Sequence, residues 1–173
     1  GKTPLEVASL PVMNRLASMG QVGTVATIPE GVPPGSDAAN LSVMGYDPSI
    51  YLTGRSPLEA VSIGIDMSET DVAFRTNLVT LEGAGRYEEL IIKDHSSGDI
   101  TTKEADQLIQ AVNQAFGDHT TQFYTGTSYR HCMIVHHGAT GQELTPPHDV
   151  LGRPAGDYLP KGPGSEMIDD MMR

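Results

Sequence analysis

The chain has no tryptophan and a single cysteine, Cys132. One cysteine excludes an internal disulfide and any zinc cluster built on cysteine pairs, and it makes the cytoplasm the simplest compartment. Basic residues are scarce: 11 Lys and Arg stand against 22 Asp and Glu, for a formal net charge of −11. Nucleic acid seeks a basic face, so it is excluded as an expected partner. No apolar run approaches the roughly 18 residues of a membrane-spanning helix, so no membrane partner is expected either. No charged-then-apolar leader opens the sequence, and secretion is not expected. What is present is 173 residues rich in turn formers, with 19 Gly and 12 Pro. That length suits one domain, or one small domain with part of another. An acidic chain can still hold an acidic small molecule, using a few focused basic groups or metal ions. Each arginine is therefore informative.

Thr3-Pro4-Leu5-Glu6 reads as a capped helix start, and Pro11 to Gly20 as a second short helix with Val12, Leu16 and Met19 on one face. Residues 21–28 read as a mostly buried strand. A Pro-rich loop and a helix from Ser36 to about Met44 follow. Helix, strand, loop, helix is the grammar of a parallel α/β sheet, yet one strand cannot make one. The expectation is a piece of a larger α/β core.

From Tyr51 the grammar changes. Asp71 to Leu81 reads as a long strand with Val72, Phe74, Thr76 and Leu78 on one face and Ala73, Arg75, Asn77 and Val79 on the other. Residues 82–86 read as a hairpin loop, and Tyr87 to Lys93 as the returning strand. Thr101 and Glu104 cap a helix whose apolar stripe is Ala105, Leu108, Ile109, Val112, Ala115 and Phe116, stopped by Gly117. Gln122–Tyr124 and Tyr129–His136 read as two more strands around a Thr125-Gly126 turn. Residues 138–163 read as a linker or binding loop. Ser165 starts a last helix with Met167, Ile168, Met171 and Met172 on its apolar side. The pattern predicts an α+β unit on a mostly antiparallel sheet.

Pro33-Pro34-Gly35-Ser36-Asp37 is the segment that speaks of chemistry. It delivers a serine to a helix N-terminus, where backbone N–H groups and the helix dipole favour a phosphate. The plain alternative is an N-cap serine.

Pro34-Gly35-Ser36-Asp37 with Ala39-Asn40-Leu41-Ser42, Gly45-Tyr46-Asp47-Pro48, Tyr51-Leu52-Thr53-Gly54-Arg55, Asp71-Val72-Ala73-Phe74-Arg75, Tyr129-Arg130-His131 and Thr145-Pro146-Pro147-His148-Asp149 resemble, in order and spacing, the archaeal-type cofactor-independent phosphoglycerate mutases of the alkaline phosphatase superfamily. The resemblance covers nearly the whole chain. It implies an alkaline-phosphatase-like α/β core fragment in residues 1–50, an inserted substrate-binding α+β domain with a mostly antiparallel sheet in 51–158, and a linker with a truncated helix returning to the core in 159–173. It implies interconversion of 3-phosphoglycerate and 2-phosphoglycerate with Ser36 as the nucleophile, held transiently as phosphoserine. It also implies two divalent metal ions (Mn, Mg or Zn) in the intact protein, with Ser36 as a metal ligand. The family's other ligands lie outside these residues, so this chain by itself is expected to hold no metal and to be inactive.

Substrate contacts are expected from Arg55, Arg75, Arg130, His148 and Asp149. Arg75 follows the family pattern on its strand. Arg55 follows a glycine in the hinge segment. Arg130 and His131 point to opposite faces of a strand, so one of them can face a pocket, and Arg130 is the choice. Asp149 can fix the tautomer of His148 on a loop stiffened by two prolines, or both can simply staple that loop. Where relatives often carry a basic residue in the Ser-x-Gly-x-Ile turn, this chain has Asp99, leaving any anion contact there to His95. His136 and His137 are adjacent on a strand and cannot chelate together. A monomer is expected for the intact protein, with self-association of the shorter chain through exposed apolar surface. The rival readings are a non-catalytic module that binds a phospho-ligand, and a related phosphatase or phosphopentomutase.

Overall fold

A computed structural model describes residues 1–173, and the chain divides into two compact units, Gly1–Leu52 and Thr53–Arg173. The first unit is helical. It holds α1 (Pro4–Val7), α2 (Pro11–Met19), α3 (Ser36–Val43) and α4 (Pro48–Tyr51). The capping signals read at Thr3 and Gly20 have structural counterparts, and Asp47 adds a cap that was not read from the sequence. The Glu6 carboxylate accepts from the Thr3 N–H at 2.6 Å. Gly20 closes α2 by donating to the Leu16 carbonyl. Asp47 caps α4 by accepting from the Ser49 N–H at 2.9 Å, and the Ser49 hydroxyl, then that N–H, hold its carboxyl below the usual range. Helix α3 packs on α4.

Residues 21–28 are not a strand. They form an irregular, mainly exposed segment, with Val22 83% and Val25 82% exposed. The β-forming composition is real, but a strand needs a partner for its backbone groups, and no strand exists in residues 1–52. Helix α2 buries none of its residues, so Val12, Leu16 and Met19 form an exposed stripe.

The second unit is an α+β sandwich. A three-stranded antiparallel sheet runs in the order β1 (Asp71–Asn77), β5 (Arg130–His136), β4 (Thr121–Thr127). Helices α5 (Ser56–Ser62) and α6 (Thr102–Phe116) both pack on this sheet. Alternation along each strand sorts side chains between two cores. Phe74, Phe123, Met133 and Val135 join Ile109 of α6 and Ile168 of α7 (Ser165–Met172). Ala73, Cys132 and Ile134 join Ala60 of α5 and Ile65. The central strand β5 is therefore apolar on both faces, which is why His131 through Val135 are buried without interruption.

The long strand expected from Asp71 to Leu81 breaks after Asn77. Its continuation is β2 (Thr80–Glu82), which pairs with β3 (Ile91–Asp94) as a separate ribbon. The returning strand is shorter than expected because Tyr87–Glu89 forms a 3-10 turn. The β4–β5 turn falls at Ser128-Tyr129, with Ser128 at φ 55°, and Gly126 lies instead in a register shift within β4. A Cβ on Gly126 would meet the Arg130 carbonyl at 2.2 Å, so only glycine fits that irregularity. Helix α6 carries the expected capping box, the Thr101 hydroxyl accepting from the Glu104 N–H. Its buried stripe is narrower than expected, since Leu108 and Phe116 are exposed. The methionines of α7 pack at home: Met167 and Met171 cover the Phe74–Ile168 core, and Met172 is exposed. Residues 138–163 wrap a small third core of Ile92, Val150 and Ala155.

Candidate functional site

In the first unit, Gly35 has extended backbone angles (φ −163°, ψ 156°) and occupies the N-cap of α3. Ser36 is the first residue inside the helix and is exposed. The capping position is thus taken by a glycine, and the serine hydroxyl sits one residue later, in the turn where helix N–H groups lack intrahelical acceptors. A Cβ on Gly35 would lie 2.3 Å from Asp37 Oδ1. The Asp37 carboxylate therefore folds back against the cap, and the absent side chain leaves room for it.

Two clusters occupy the second unit. The first centres on Arg75. Its guanidinium pairs with Glu59 of α5 at 3.4 Å and donates to Asn77 Oδ1 at 3.3 Å, and its backbone N–H donates to the Ser56 hydroxyl. Glu59 and Arg130 line one open cavity of about 180 Å³ with Ser62, Ile63, Thr127 and Cys132. Burial, then the Glu59 charge, pushes the Cys132 thiol up to about 11, so this cysteine is not a nucleophile.

The second cluster is a row of rings. The Arg130 guanidinium lies 5.1 Å from the Tyr129 ring centroid and donates to the Tyr129 hydroxyl at 3.0 Å. His95 meets Tyr129 edge-on at 5.6 Å, and His148 meets His95 at 6.2 Å. His148 Nε2 lies 3.6 Å from Asp149 Oδ1. The row of contacts thus links Arg130, by way of Tyr129 and His95, to His148 and Asp149. Arg75 is held in its ion pair with Glu59, which lines a cavity with Arg130. Arg55 is exposed at the N-cap of α5, just after Gly54, whose φ of 127° favours glycine. Sequence reasoning did not find the roles of Tyr129 and Glu59. Tyr129 is 34 positions from His95 in a chain where nothing local couples them, whereas the Glu59–Arg75 pair follows from α5 packing on β1.

Of the remaining histidines, His131 and His136 are hydrogen-bonded within the second unit, and His119 and His137 are exposed. His131, 3% exposed, lies on the face of β5 opposite Arg130; its Nδ1 accepts from the Gly126 N–H at 3.2 Å. Burial holds its pKa down, partly countered by the charge of Asp106. His136 Nδ1 and Asp71 Oδ1 are 2.7 Å apart, and that hydrogen bond, with one from the Ser68 N–H, lowers the Asp71 carboxyl to about 2.

The family model for 2,3-bisphosphoglycerate-independent phosphoglycerate mutase matches residues 17–173. The chain belongs to this family. It is 48% identical over 172 residues to a probable 2,3-bisphosphoglycerate-independent phosphoglycerate mutase of Geobacter sulfurreducens, covering 99% of this chain and 43% of that protein. A 2,3-bisphosphoglycerate-independent phosphoglycerate mutase of Methanosarcina barkeri is 44% identical over 174 residues, 100% of this chain and 42% of the relative. The second such enzyme of Methanothermobacter thermautotrophicus is 47% identical over 163 residues, 94% of this chain and 39% of the relative. The chain therefore spans about two fifths of the length of these mutases. No solved structure matches it at a significant level.

No three His, Cys, Asp or Glu side chains converge to hold a metal ion. By themselves the chain's residues do not make up the two-metal centre that the family resemblance implies. No helix is long and apolar enough to cross a membrane.

Proposed function

We propose that this chain carries the phosphoryl-accepting serine and the substrate-holding cations of a mutase that interconverts 3-phosphoglycerate and 2-phosphoglycerate. The observation that carries the reading is the family match over residues 17–173, with Ser36 in the first turn of α3 behind a glycine cap. Ser36 Oγ forms a bond to phosphorus as the substrate's ester P–O bond breaks. The proton that Ser36 gives up is balanced by the one the departing hydroxyl gains. The phosphoserine then returns the group to the neighbouring hydroxyl of the same glycerate. Arginine suits the anionic substrate because its planar fork matches carboxylate and phosphate oxygens. Arg130 with His148 and Asp149 is one such holder, and Arg75 and Arg55 are the others proposed. An alkaline-phosphatase-like core around Ser36, a cytoplasmic location and a monomeric whole enzyme belong to the same reading.

The test is a coupled enolase assay on a polypeptide of the relatives' full length. Ser36→Ala is expected to lower turnover by about 10⁴-fold or more, as for other covalent nucleophiles. Undiminished isomerisation overturns the proposal, and so does release of free phosphate with no 2-phosphoglycerate, which indicates a phosphatase. The rival reading is a non-catalytic module that binds a phospho-ligand. Ligand binding without turnover at full length would support it.

A further inference from the structure

We propose that His95 is a substrate-binding residue that takes a carboxylate oxygen together with Arg130 and His148, and that Tyr129 positions both partners. This rests on the functional reading above, which takes Arg130 and His148 as substrate contacts.

Two observations single out His95. Its ring is the middle member of a row that runs from Arg130 through Tyr129 to His148. It touches His148 directly, and it touches Tyr129, whose ring and hydroxyl hold Arg130. Its Nδ1 is buried and has no hydrogen-bond partner. A buried ring nitrogen left this way is costly and calls for an explanation. Held by ring packing alone at that atom, the imidazole can turn outward without losing a hydrogen bond there, and it gains one when an oxyanion arrives.

The surrounding main chain is fixed by hydrogen bonds. The Asp94 carboxylate accepts from the Ser96 N–H and hydroxyl, both at 2.8 Å, and from the Gly98 N–H at 2.5 Å. Ser97, Gly98 and Asp99 follow at φ 50°, 68° and 54°, three left-handed residues in succession. Such a backbone persists only where its surroundings over-determine it. His95 thus hangs from a clamped loop.

Charge points to a carboxylate rather than a phosphate. Arg130 contributes one cation, while Asp149 lies beside His148, and Asp94 and Asp99 lie in the loop that carries His95. A monoanion balances such a set better than a dianion does.

The test uses the 173-residue chain labelled with ¹⁵N, reading imidazole nitrogens and backbone amides. It is titrated separately with 3-phosphoglycerate, glycerate and glycerol 3-phosphate. The His95 and His148 signals are expected to move together with the two carboxylates and to stay put with glycerol 3-phosphate. The exposed His119 and His137 are expected not to respond. Tyr129→Phe, which removes only the hydroxyl that Arg130 uses, is expected to weaken glycerate binding about fivefold, the worth of one net hydrogen bond. His95→Gln is expected to weaken it by a similar factor, with an unchanged thermal midpoint in both variants. If 3-phosphoglycerate moves the Ser36 and Arg130 amides while His95 stays silent, the role of His95 is overturned and the mutase reading stands. If no signal moves with 3-phosphoglycerate, that reading fails as well. If glycerol 3-phosphate shifts His95 as strongly as glycerate does, the carboxylate assignment is overturned.

Discussion

His131 makes the acid sensitivity of the second unit a single-residue question. Its folded pKa is lowered by burial from an ordinary value of 6.5. The folded state therefore favours the neutral ring, while the unfolded chain binds the proton more readily. Stability from this site is present above pH 6.5 and is lost as pH falls through the depressed folded value. The thermal midpoint of the wild type should drop more between pH 7 and pH 5 than that of His131→Gln, which keeps an acceptor for the Gly126 N–H. Parallel curves would remove His131 as the cause. At Gly35, an added methyl meets the mobile end of Asp37 rather than backbone. Gly35→Ala should leave the melting temperature within about 2 °C. At the relatives' full length it should cut mutase turnover by about tenfold or more, by displacing the carboxylate next to the proposed nucleophile. Unchanged turnover would mean that the geometry of this turn is not critical. At this scale the sequence was legible where one residue acts on its immediate neighbours, as in the Thr101–Glu104 box. It was not legible for the row of rings, whose members come from β3's exit loop, the β4–β5 turn and residues 147–149.

Among the elements, α6 and β5 carry the second unit. Ile109 on α6 is 2% exposed and sits within the Phe74–Ile168 core, so Ile109→Ala should cost about 2–5 kcal/mol. Thr101→Ala removes a cap and should cost about 1 kcal/mol. Urea unfolding of both variants checks the ratio, and equal losses would mean that packing does not dominate. Helices were readable because caps and the 3.6-residue period are local properties. Strands were readable only where a partner was also in the chain. The alternation in 71–77 and the apolar run of 131–135 became β1 and β5, whereas 21–28, with similar composition, stayed irregular. Turn placement failed at Thr125-Gly126 because a bulge glycine and a turn glycine look alike in sequence.

For the whole molecule, the contrast between the two units is the main consequence. Amides in 21–28 should exchange with solvent within seconds, and proteases should cut there first, while β5 amides should exchange only on global unfolding. Slow exchange in 21–28 would restore the strand reading. We further propose that the exposed stripe of α2, with Leu5, Val7, Val22 and Val25 nearby in sequence and also exposed, drives self-association of this chain. Sedimentation at rising concentration should show oligomers that Val12→Glu with Leu16→Glu disperses. Oligomers that persist in the double variant would place the contact elsewhere.

Cys132 gives the molecule a built-in clock. The only thiol lies at the centre of the sheet, 3% exposed and shifted to about 11. A thiol-reactive dye has nothing to attack until β5 parts from its neighbours. Labelling speed at neutral pH would then read the opening rate of the second unit directly, with no engineered probe and no second site to confuse the signal.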